Sequence, residues 1–263
     1  MDAWVACLLG VLQGLTEFFP VSSSGHLALF GHWFGAEPDL AFDVIVHLAT
    51  LSAILVYFRN DWRQLWRCFI KKEPGDLPDH PFFYLAIATL PAVVMGVFYK
   101  DRIEWVHDQP QLVGLFLLIN GIVLLAGFLV RGPFIPFSRM DWAVALCMGF
   151  AQAGAILPGI SRSGATIMAA FFLGLDRRAG ARFSFMMAVP VIAGAGLLTL
   201  YDLVSMSSGF GNRPWLAYGL GFFTALVSGF FALAFLMRLL QGARFFWFGL
   251  YCLIMAAAAF LVP

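Results

Sequence analysis

Apolar stretches recur from one end of this sequence to the other, over residues 3–19, 41–58, 82–99, 112–130, 142–157, 183–201, 215–236 and 245–262, with weaker ones at 26–36 and 164–175. Water cannot cover so much apolar surface. A bilayer can, but only if each backbone polar group is bonded inside the protein, which restricts the chain to packed helices. Charged residues make up 12% of the sequence, against about a quarter in a soluble domain. Because the stretches are spread over all 263 residues, they do not describe a soluble catalytic domain on one anchor. The expected fold is an all-α polytopic membrane protein, with residues 1–263 forming a single integral membrane domain.

Several classes drop out at once. The opening MDAWVACLLG lacks a basic n-region, so the first stretch is expected to stay in the mature protein rather than be cleaved as a signal peptide. Cys7, Cys68, Cys147 and Cys252 stand singly with no CxxC pair, which disfavours zinc, disulfide and redox roles. A formal net charge of +1 with no basic cluster offers nothing to a nucleic acid.

Six stretches read as simple spans. The other four are short and form two pairs, 3–19 with 26–36 and 142–157 with 164–175, each joined by a polar turn containing proline. A re-entrant hairpin, entering and leaving by one side, accounts for each pair. The turns also resemble one another: GVLQGLTEFFPVSSSG (10–25) superposes on GFAQAGAILPGISRSG (149–164) at an offset of 139 residues, with Gly10/Gly149, Gln13/Gln152, Ser22/Ser161, Ser24/Ser163 and Gly25/Gly164 identical. Pro20 and Pro158 miss register by one. Three spans separate the pairs, so the copies, about 1–130 and 131–263, are expected to be inverted in the membrane, bringing two broken hairpins together at its middle.

Basic residues orient this arrangement, since cytoplasmic loops are enriched in them. With loop 59–81 cytoplasmic, that side collects Arg59, Arg63, Arg67, Lys71, Lys72, Arg131, Arg139, Arg177, Arg178, Arg182, Arg238 and Arg244. Only Lys100, Arg102 and Arg213 fall opposite, and Arg162 stays inside the second turn. Both chain ends are then extracytoplasmic. Four full spans in place of the two hairpins is the competing topology.

Ionisable groups are expensive in apolar sequence, so their clustering marks a site. Gln13 and Glu17 share a helix face just before Pro20, Ser22, Ser23, Ser24 and His26. The second turn, PGISRSGAT (158–166), offers Gly159 for close backbone approach, hydroxyls on Ser161, Ser163 and Thr166, and the Arg162 guanidinium. Backbone N–H groups at a helix N-terminus attract an anion, and arginine holds one through two parallel bonds, so this turn suits a phosphate. A purely structural Arg162–Glu17 pair is the plainer reading, and it is compatible with the first. His47, four residues after Asp43, reads as a hydrogen-bonded structural pair; His32, His80 and His107 have no supporting constellation.

These motifs carry a resemblance. QGLTEFFPVSSSGH (13–26) and PGISRSGAT (158–166), with weaker support from FDVIVHLATLSAILVYF (42–58) and FSFMMAVP (183–190), resemble the undecaprenyl-diphosphate phosphatase family, also known for bacitracin resistance. The resemblance implies removal of the terminal phosphate of undecaprenyl diphosphate, which recycles the lipid carrier for cell-wall synthesis. It further implies a multi-pass protein of the bacterial cytoplasmic (inner) membrane, a site opening to the extracytoplasmic side, and a divalent cation, Mg2+ or Ca2+. Catalytic roles are implied for Glu17, Ser23, His26 and Arg162. Gln13 is the less acidic of the two residues the family carries at that place, which weakens a metal site built from Gln13 and Glu17. Arg182 stands where similar proteins more often carry glutamate. The 29 phenylalanines suit a groove for a polyisoprenoid tail and suit lipid-facing packing equally.

Chemically, Arg162 and the turn N–H groups suit stabilisation of phosphoryl charge, with Ser22, Ser24, Gly159, Ser161, Ser163 and Thr166 holding the diphosphate. Ser23 could attack with Glu17 or His26 as base, or Glu17 and His26 could activate water. Inverted repeats with broken helices are also typical of secondary transporters, so a lipid-phosphate flippase is the alternative class. A homo-oligomer stays open.

Overall fold

The computed structural model describes residues 2–34, 40–71, 77–130, 132, 134–205, 214–240 and 245–261. Lys72, Arg131, Arg213 and Arg244 of the basic residues counted above lie outside them, as does the side chain of His32. Helices dominate the described residues: α1 (Ala3–Phe18), α2 (Ser23–Phe34), α3 (Leu40–Tyr57), α4 (Arg59–Lys71), α5 (Pro81–Phe98), α6 (Lys100–His107), α7 (Pro110–Ala126), α8 (Trp142–Gly154), α9 (Arg162–Phe172), α10 (Arg177–Ser205), α11 (Trp215–Leu239) and α12 (Phe246–Phe260). Ten of them coincide with the ten apolar stretches. The other two, α4 and α6, are too polar to be found by a search for apolar runs.

By length and composition α5, α10 and α11 can each cross a membrane alone, against the six simple spans expected. The number rises to five if α3 with α4, bent by 70°, and α6 with α7, bent by 98°, each count as one span. α12 has 15 residues, about 22 Å at 1.5 Å per residue. The short α1/α2 and α8/α9 pairs are present, each broken at its polar turn.

The molecule is built for an apolar solvent. Leu8, Val11, Leu15, Val94, Phe98, Phe223 and Phe231 are exposed, whereas Gln13, Glu17, Ser22, His26, Asn120, Gln152, Ser161, Ser163, Thr166 and Ser184 are buried. A soluble protein distributes these types the other way round.

Packing pairs α1 with α11, α8 with α5, α7 with α12, and α3 with both α10 and α11. Close approach depends on small residues, as expected where lipid removes the hydrophobic drive between helices. A Cβ on Gly10 would stand 2.4 Å from Gly221 O, and one on Gly149 would stand 2.8 Å from Ala88 O. On α7 and α12, Gly121 and Gly249 each lie against the carbonyl of the other. Beneath the first turn, Phe18 and Phe58 both pack on Phe185, with ring centroids 5.8 and 6.0 Å away, in a core shared with Ile54, Ile167 and Leu233. That core fixes the end of α1, and with it Glu17.

Candidate active site

Asn120 on α7 ties the two turns together. Its Nδ2 donates to the carbonyl of Pro20 at 3.0 Å, and its Oδ1 accepts the N–H of Ser161 at 3.1 Å. Directly between the turns, Gly159 N donates to Ser22 Oγ at 3.1 Å and Ser163 Oγ donates to the carbonyl of Phe19 at 3.3 Å. Each turn then starts a helix in the same way. Ser22 Oγ accepts the N–H of Gly25 as Ser161 Oγ accepts that of Gly164, and Ser24 and Ser163 stand beside their respective capping serines. These positions are paired by the 139-residue offset. The N-termini of α2 and α9 thus begin side by side, both with the partial positive charge that favours an anion.

Glu17 sits at this junction. Its Oε2 accepts Ser23 Oγ at 2.7 Å and Gln13 Nε2 at 3.1 Å, while Oε1 accepts Arg162 Nη2 at 2.7 Å. The carboxylate is buried, so such compensation is required. His47 Nε2 approaches Oε2 to 3.9 Å. Two buried polar atoms beside this cluster, Arg162 Nη1 and Gln13 Oε1, have no protein partner. A buried donor left unmade costs about 1–3 kcal/mol, so Arg162 Nη1 is a place where an anionic ligand gains most.

Other expected residues bond to the surrounding scaffold. Ser22 holds a left-handed backbone, φ 71°, and its carbonyl accepts His26 Nδ1–H at 2.7 Å. His26 Nε2 then accepts the hydroxyl of Tyr251 at 2.6 Å, with the two rings stacked at 5.5 Å. Both imidazole nitrogens are therefore engaged away from Glu17. Gly159, at φ 101°, packs on α7, where a Cβ would meet Val113 O at 2.4 Å. Thr166 Oγ1 bonds to the carbonyl of Arg162 at 2.7 Å and to Ser184 Oγ at 2.6 Å. Of the four residues expected to be catalytic, Ser23 and Arg162 each bond Glu17 directly, and His26 is bonded elsewhere.

Sequence reasoning missed Asn120, Tyr251 and Ser184 and misjudged what His47 faces. A lone Asn in the apolar run 112–130 was the available signal for the first. Asp43 holds His47 through its backbone carbonyl, at 2.7 Å from Nδ1, and the ring turns its other nitrogen to Glu17. Arg182 pairs through Nε with Asp61 and through Nη2 with Gln64 at 3.1 Å, fastening α10 to α4.

No three His, Cys, Asp or Glu side chains converge on one point among the described residues. Glu17 and Gln13 still fit a divalent cation as a partial set, because Mg2+ is commonly held by one or two carboxylates together with substrate phosphate oxygens.

The family described as bacitracin resistance protein BacA matches residues 6–258. Similar full-length proteins include the undecaprenyl-diphosphatase of Desulforudis audaxviator, 38% identical over 100% of this chain and 98% of the relative. That of Rubrobacter xylanophilus is 41% identical over 88% and 87%, and that of Methanobrevibacter smithii 35% identical over 99% and 98%.

Proposed function

We propose, for a chain that belongs to the bacitracin resistance protein BacA family and acts as an undecaprenyl-diphosphatase, that the joined turns hold the lipid diphosphate and Ser23 attacks its terminal phosphorus. The observation that carries this reading is the chain Ser23–Glu17–Arg162, with both bonds at 2.7 Å. Glu17 Oε2 takes the Ser23 proton as the oxygen bonds to phosphorus. The bridging P–O bond breaks and undecaprenyl phosphate leaves. Water then displaces the phosphoryl group from Ser23 as inorganic phosphate, giving its proton to Glu17 as the Ser23 oxygen regains one. Arg162 turns Nη1 to the equatorial oxygens, where charge stabilisation rather than covalent chemistry sets the rate. His26, held between Tyr251 and Ser22, positions the first turn. A divalent cation at Glu17 and Gln13, once bound, would supply positive charge against the phosphate oxygens.

This reading includes the finer topology: six spans (α3, α5, α7, α10, α11, α12), re-entrant hairpins α1/α2 and α8/α9, and inverted repeat halves. Exchanging the halves maps α1 on α11 onto α8 on α5, and α3 on α11 onto α10 on α5, all of which pack together. The two capping serines support it independently. The basic loops support this orientation in the cytoplasmic membrane, and a site open to the extracytoplasmic side is what the family resemblance implies. One chain supplies every residue named, so a homo-oligomer is not required.

Purified protein in detergent should release inorganic phosphate from undecaprenyl diphosphate, and a chelator should stop it. Movement of lipid across a vesicle with no phosphate release would replace the hydrolase by a lipid-phosphate flippase. Equal turnover with chelator would remove the cation.

A further inference from the structure

His47 is the one imidazole whose open nitrogen faces the Glu17 carboxylate among the described residues, and the reading above gave it nothing to do. Its Nδ1 donates to the carbonyl of Asp43 at 2.7 Å, one turn back on α3. That bond requires a proton on Nδ1, so in the neutral ring the Nε2 lone pair faces outward, 3.9 Å from Glu17 Oε2. A histidine metal ligand is held in this way, its second nitrogen bonded to a carbonyl that fixes tautomer and orientation. The distance is decisive. Two lone pairs do not attract one another, yet two metal–ligand bonds of about 2.1 Å span at most about 4.2 Å, so one cation can bridge both atoms.

Gln13 adds a third donor. Its amide gives Nε2 to Glu17 Oε2 at 3.1 Å and leaves Oε1 buried without a partner. Turning the amide by half a revolution exchanges the two atoms and brings its carbonyl oxygen beside the carboxylate, where a cation would relieve the repulsion. We propose that His47 Nε2, Glu17 Oε2 and Gln13 Oε1 form the protein part of a mixed nitrogen–oxygen divalent-cation site. This rests on the phosphatase reading for its role, but not for its existence. An imidazole in the set shifts preference from Mg2+ and Ca2+, which take oxygen ligands, towards Mn2+, Co2+ or Zn2+.

Mn2+ is a direct probe. Pulsed electron paramagnetic resonance on the purified full-length protein with Mn2+, alone and with methylenediphosphonate, should show modulation from one directly bound 14N. Protein labelled with 15N-histidine should show the 15N pattern instead, which identifies the ligand type without any substitution. In a His47→Gln protein that elutes as the wild type does, the nitrogen modulation should vanish and Mn2+ affinity fall about tenfold or more. Modulation that survives His47→Gln, Mn2+ bound with no coupled nitrogen, or no saturable Mn2+ binding in either condition overturns the proposal. Phosphate release by the same wild-type preparation decides the phosphatase reading separately, since turnover with an all-oxygen cation site leaves that reading standing and removes this one.

Discussion

Ser23 and Arg162 occupy equivalent places in the two turns, 139 residues apart, and bind opposite oxygens of one carboxylate, each at 2.7 Å. At the matching position of the second turn Glu17 is replaced by Ile156. One half therefore provides a hydroxyl and a carboxylate, nucleophile and base in the proposed reaction, and the other provides the guanidinium that pairs with the carboxylate.

Glu17→Gln keeps side-chain size and removes basicity. Turnover should fall by about 10²–10⁴-fold, while binding of the lipid falls far less. Turnover, binding and thermal stability are measured on one preparation. Lost stability with normal turnover per folded molecule would reduce Glu17 to a partner of Arg162, whose guanidinium is left as an unpaired buried charge by this change.

Arg162→Lys retains the charge but loses the planar fork that serves Glu17 with Nη2 and leaves Nη1 for a ligand. We expect turnover to drop by about 10²-fold and by more in Arg162→Ala. Near-normal turnover in a folded Arg162→Lys protein would show that a point charge suffices.

Asn120→Ala should loosen both turns together, since one side chain serves Pro20 and Ser161. The Ser161 N–H it abandons, with the Pro20 carbonyl left to the weak Cys252 thiol alone, should lower stability by about 1–3 kcal/mol, read from thermal unfolding, and turnover should fall although Asn120 bonds neither Glu17 nor Ser23. Unchanged turnover with lowered stability would mean the turns keep register without it.

Arg182→Glu places a carboxylate opposite Asp61 and should destabilise the α4–α10 contact. Adding Asp61→Arg should restore much of the loss, and the double-mutant cycle measures the coupling, expected at about 0.5–3 kcal/mol. Additive single effects would show that the pair does not hold the helices.

Apolar runs located ten of the helices because one physical cause, avoidance of water, acts on every residue in them. The two turns were legible for the converse reason: Glu17 and Arg162 have no place in such sequence without each other. What escaped depended on rotation about helix axes. His26 read as a site imidazole and His47 as the structural partner of Asp43, yet the fold turns the first to Tyr251 and the second to Glu17. Gly159 and Thr166 read as phosphate ligands from their motif, and in the fold Gly159 packs against α7 while Thr166 bonds to Ser184. The 70° and 98° bends were illegible because α4 and α6 are polar helices outside the apolar runs, and where a run ends says nothing of the angle at which the next helix leaves.

The Glu17–Arg162 pair also sets an electrical condition on entry. With its carboxylate and guanidinium in contact, the empty junction carries no net charge and exerts little long-range pull on passing anions. A diphosphate head group carries two or more negative charges into a region of low dielectric, and a junction already at balance cannot offset them. The missing positive charge must then come from a divalent cation at the junction, whether the protein holds it or the head group brings it. The gain in selectivity follows from the same balance, because a lone monophosphate, with fewer charges to attract a divalent cation, arrives with a weaker claim on the site than the diphosphate it came from.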